Sequence, residues 1–145
     1  MGAWSYEPFG NDDACDWIAQ LKESNDLGML DAVFDVVLSF EGSYLEVTEA
    51  CEAIAAAEVL ARLLGNYGTG DAGPEAVNAW IKRVEVQPPT SLLAKANLAL
   101  ERIGSGPSEL KELWAESDDV EAWLASVAEL QRRVSGGANN SNYRP

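Results

Sequence analysis

The 145-residue chain has the length of one domain, and 47% of its residues are hydrophobic, five Trp among them, which is enough for a core that needs no staple. It holds 24 acidic residues, 10 basic residues and no His, for a net charge of −14. That charge argues against DNA, RNA or an anionic membrane as a direct partner, and the lack of His excludes Ser–His and Cys–His nucleophiles.

Residues 1–10 carry Trp4, Tyr6, Pro8 and Phe9, which predicts an ordered aromatic arm laid on the body of the domain. The first helix is expected from Asp12 to Glu23, capped by Asn11, with Ala14, Trp17, Ile18 and Leu21 on one apolar stripe. The second runs from Leu27 to Phe40, capped by Asn25 or Asp26, and buries Leu30, Val33, Phe34, Val37 and Leu38. The third spans Glu46 to Leu64. Its centre, AIAAAEVLARLLG, is apolar almost all round, which marks it as the central helix, with Glu58 and Arg62 paired on the remaining wet edge. Asn66–Gly73 is a loop of turn residues.

The fourth helix begins at Pro74 and carries Val77, Trp80, Ile81 and Val84, before Pro88 and Pro89 break the chain. Thr90 or Ser91 caps the fifth, whose buried positions are Leu93, Ala96, Leu100 and Ile103. The sixth covers Ser108 to Glu116, and the seventh Asp119 to Val134 with Trp123, Leu124, Val127, Leu130 and Val134 inward. The expected fold is therefore all-α: one compact bundle of six to seven helices over residues 1–134, with a disordered tail at 135–145.

Cys15 and Cys51 sit in helical contexts and read as small core hydrophobes, with their pairing left open. No basic, apolar leader opens the chain, and its longest apolar run, Ala53–Ala57, is far too short for a bilayer, so the cytoplasm is the expected location. No nucleotide-binding motif is found, and no metal or other cofactor is called for. The sequence Gly68–Gly73 follows a helix rather than a strand and reads as a linker.

Carboxylates are the only abundant chemical groups. Residues 1–66 hold 13 acids and two bases, Lys22 and Arg62, whereas residues 67–145 hold 11 acids and eight bases. Asp12, Asp13 and Asp16 cluster on the first helix, and Glu46, Glu49 and Glu52 recur every three residues on the third. Crowded like charges repel one another in the free protein, and a cationic partner relieves that repulsion and is steered inward. These six residues are the candidate contacts for a basic protein partner. The same spacing also suits carboxylates that hold Mg²⁺ in helical nucleotide hydrolases, which is the alternative, beside a purely structural domain.

Gly2, Trp4, Phe9, Asn11, Asp12, Ala14, Asp16 and Trp17 match an opening G-x-W-G-x-x-x-F-x-N-D-x-A-x-D-[WF], with Ser5 in place of the second Gly. In this opening, in the Ala- and Glu-rich third helix and in Ser108-Glu109-Leu110 with Leu113, Trp114 and Trp123, the chain resembles the bacterial family called domain of unknown function 4259. That family has no settled activity. The resemblance implies, by analogy, an immunity protein that neutralises a toxin, and the expectation is a non-enzymatic inhibitor covering a basic, cognate toxin.

Overall fold

The computed structural model describes residues 9, 11–40, 43–66 and 75–140. Among them are seven α-helices: α1 (Asp12–Leu21), α2 (Gly28–Ser39), α3 (Val47–Leu63), α4 (Glu75–Val84), α5 (Thr90–Ile103), α6 (Glu109–Ala115) and α7 (Val120–Asn140). The fold is an all-α bundle. Extended pairing among the described residues is confined to one parallel bridge between Leu45 and Ser108. There the Leu45 N–H donates to the Pro107 carbonyl at 3.1 Å and the Glu109 N–H to the Leu45 carbonyl at 2.8 Å. The aromatic arm lies outside the described residues except for Phe9, which packs on the core beneath the Arg62 guanidinium, 5.2 Å from its ring centre.

Local chemistry explains most helix ends. Asn11 caps α1 by accepting the Ala14 N–H at 2.8 Å, and Asp12 and Asp13 occupy the first turn, where the helix dipole favours them. At α2 the cap position is Leu27, but the Asp26 carboxylate accepts the Gly28 N–H at 2.9 Å. At α5 Pro89 precedes the helix and Thr90 is already helical, so neither Thr90 nor Ser91 serves as the cap. Gly65, at φ 89°, closes α3: its N–H reaches the Arg62 carbonyl at 2.9 Å and the Asn66 N–H reaches Ala61 at 2.9 Å, the paired bonds of a Schellman ending. Helix α7 continues to Asn140, six residues past its expected end at Val134.

Helix α3 contacts all six of the others. Every residue from Ala53 to Arg62 is buried, and the small side chains of Ala50, Ala53, Ala55, Ala56, Ala57 and Ala61 let its neighbours approach on all sides. Arginines close the ends of the surrounding helices. Arg83 donates to the Lys22 and Ser24 carbonyls after α1, and Arg102 to the Phe40 carbonyl after α2 and the Pro107 carbonyl before α6. The Trp114 and Trp123 rings lie nearly parallel, their centroids 6.5 Å apart, between α6 and α7.

The pairing of Glu58 with Arg62 is as expected, but its place on a wet edge is not. Glu58 is 2% exposed and Arg62 7% exposed. The Glu58 carboxylate accepts Arg62 Nε at 2.8 Å and, from α7, the Arg133 fork at 2.7 and 3.0 Å. Arg133 also holds Glu129 at 2.8 Å, and the Asn66 amide donates to the Arg133 carbonyl at 2.9 Å. The i, i+4 spacing reveals only half of this network, because its third member lies 75 positions away. Burying a carboxylate is costly unless it is paired and hydrogen-bonded in this way. Replacing Arg133 with Ala should destabilise the domain by about 3 kcal/mol in urea unfolding, near the lower end for a broken buried pair because Arg62 remains. The triple variant Glu58→Leu/Arg62→Leu/Arg133→Leu, which removes the whole charged set, should recover part of that loss.

Candidate functional site

The first half of α3 leaves the core on one side, and there α1 and α2 flank it. Between the three helices lies an open groove of about 220 Å³. Its walls follow from helical spacing. Trp17 and Gln20 come from α1 at i, i+3, and Met29, Ala32 and Val36 step along α2 beside the core-facing Leu30, Phe34 and Val37. Glu49 and Glu52 come from α3, also at i, i+3. Val36 is 43% exposed at the rim, while Trp17, on the opposite helix, is only 3% exposed.

Two buried polar atoms in these walls have no hydrogen-bond partner among the described residues: Trp17 Nε1 and Glu49 Oε1. Each such group costs about 1–3 kcal/mol in the free protein. Burial raises the pKa of the Glu52 carboxyl, and the charges of Glu49 and then Asp13 raise it further. Beside it, burial pushes the Cys51 thiol up to about 12, with Asp13 and Glu52 adding to the effect. Asp13, Glu49 and Glu52 thus share one electrostatic neighbourhood, and it is uncompensated. Among the described residues no ion pair reaches any of the six candidate acids. The cations that form ion pairs among the described residues do so elsewhere, Lys95 with Asp31 and Asp35, and Arg62 and Arg133 with Glu58.

The structure divides the six. Asp13, Glu49 and Glu52 are brought together. None of Asp12, Asp13 and Asp16 lines the groove itself: Asp12 and Asp16 are exposed on α1, and half-buried Asp13 acts on Glu52 through its charge. Glu46 precedes α3 in a second acidic group with Glu109 and Glu112 around Tyr44, whose phenol donates to Glu112 at 3.0 Å. In that group Glu109 caps α3 from α6 by accepting the Val47 N–H at 3.0 Å. Desolvation, the bond to Glu112 and the three glutamate charges raise the Tyr44 pKa. Sequence reasoning missed Met29, Val36 and the second role of Trp17. The signal for them was the apolar Met29-Ala32-Val36 line, which adjoins the main stripe of α2 and leaves that helix with more apolar surface than one core face uses.

Among the described residues no group of three or more Cys, Asp or Glu is disposed to hold a metal ion. Cys51 is buried, Cys15 is exposed, and both are free. No described helix is long and apolar enough to cross a membrane.

A family model with the description Domain of unknown function (DUF4259) matches residues 2–126. The chain belongs to that family. No curated protein and no solved structure matches it. The matched span includes every residue that lines the groove, from Trp17 to Glu52.

The raised Glu52 pKa has a stability consequence with a definite sign. Folding makes this carboxyl hold its proton more tightly, so its ionised form destabilises the fold at neutral pH. The penalty fades as pH falls through the raised value and is gone below the ordinary 4.5. Glu52→Gln should therefore melt above the wild type at pH 7, and the gap in Tm should close as the pH approaches 4.5.

Proposed function

We propose that this DUF4259 chain is a non-enzymatic acidic binding protein that docks a basic protein partner across the α1–α2–α3 groove. Its most concrete form is an immunity-like inhibitor that covers a basic toxin. The observation that carries the reading is the placement of Glu49 and Glu52 on the wall of an apolar groove, with Asp13 near enough to raise the Glu52 pKa and no ion pair to any of the three among the described residues. Retaining such a group costs stability in the free protein, and a docked cation relieves the repulsion and offsets the desolvation cost by direct attraction. The net charge of −14 adds long-range steering for a positively charged partner. Apolar groove walls supply the desolvated centre that a specific interface needs, and the surrounding acids supply its rim.

Affinity capture with the wild-type chain should recover a basic protein whose binding weakens steeply with salt. Glu49→Lys/Glu52→Lys should weaken that binding at least tenfold, whereas Asp118→Lys, exposed and outside the groove, should change it little. Capture that is indifferent to salt and to the double reversal would contradict the reading. A thermal shift with Mg²⁺ together with nucleotide turnover would favour the hydrolase alternative.

A further inference from the structure

We infer that the α1–α2–α3 groove is a socket for a single arginine of the partner, with the apolar walls taking its methylene stem, Glu49 and Glu52 its guanidinium, and Trp17 Nε1–H a carbonyl beside it. This rests on the partner-binding reading and names the group that fills its centre. The groove, at about 220 Å³, falls below the roughly 300–1,000 Å³ of pockets for drug-sized ligands, which suits one side chain. Its lining calls for an occupant with mixed character. Met29, Val33 and Val36 favour an apolar stem, and two carboxylates one helical turn apart favour a cationic end with several donors. The unpartnered atoms set the rest. Glu49 Oε1 needs a donor and Trp17 Nε1 needs an acceptor. A lysine or arginine head supplies only donors, so the acceptor comes from the peptide group that carries it.

Arginine fits better than lysine. Its planar fork reaches two carboxylates at once, it is more weakly hydrated than an ammonium, and it packs on an aromatic ring.

The test follows the Trp17 indole N–H resonance while N-acetyl-arginine methylamide is titrated into the full chain, with the neutral citrulline isostere and the lysine analogue in parallel. The expected result is a saturable shift with the arginine probe and at least tenfold weaker binding of both analogues. Glu49→Gln and, independently, Glu52→Gln should weaken the arginine probe at least tenfold while each variant keeps the wild-type melting profile or a higher one. No saturable shift, or equal shifts with citrulline, overturns the socket. Equal binding of the lysine analogue overturns the choice of arginine. Concentration-dependent dimerisation that buries Val36 overturns it in favour of a second copy. The two readings fail separately. A basic partner that needs the acidic groove but binds equally well to Trp17→Phe and Glu49→Gln sinks the socket alone. A probe that binds when no basic partner does sinks the partner reading alone.

Discussion

A helix buried on every side constrains the rest of this molecule. Because α3 touches all six other helices, its central surface has to be apolar and small, and its run of alanines satisfies both demands. Charge is tolerated on it in two ways. Glu58 is admitted to the interior because two arginines enclose it. Glu46, Glu49 and Glu52 are admitted because the N-terminal turns of α3 project beyond full coverage by α1, α2 and α6, and because the helix dipole favours acids there.

The distribution of cations completes the picture. Most bases lie after residue 66, and the structure commits several of them to internal work: Arg83 and Arg102 on helix ends, Lys95 across α2 and α5, Arg133 in the core. Each of these contacts ties distant parts of the chain together. None of them reaches Asp13, Glu49 or Glu52. The groove acids are therefore left without an ion pair among the described residues, and the walls of that groove are largely apolar. Solvated acidic faces lack such walls. Here burial and the charges of Glu49 and Asp13 raise the Glu52 pKa, and a docked cation would oppose that shift.

Much of the fold could be read in the sequence because helical periodicity is a local property. The stripes Ala14-Trp17-Ile18-Leu21 and Leu30-Val33-Phe34-Val37 are buried as their spacing implies, and the all-apolar centre of α3 does lie at the centre of the bundle. What escaped was set by contacts between distant residues. Arg133 turns an ordinary i, i+4 pair into a buried network, and Glu109 caps α3 from another helix. The candidate acids were visible as spacing on single helices, but their grouping depends on how α1 docks against α3. That docking joins Asp13 to Glu49 and Glu52 and leaves Glu46 with Glu109 and Glu112.

The account stands or falls on whether the groove carboxylates are uncompensated in the free protein. Side-chain ¹³C NMR through a pH titration measures this directly at Glu52. The account predicts a Glu52 carboxyl that titrates clearly above its ordinary 4.5. A value at or below 4.5 would mean that the group is already solvated or neutralised, and the case for a cation in the groove would be lost.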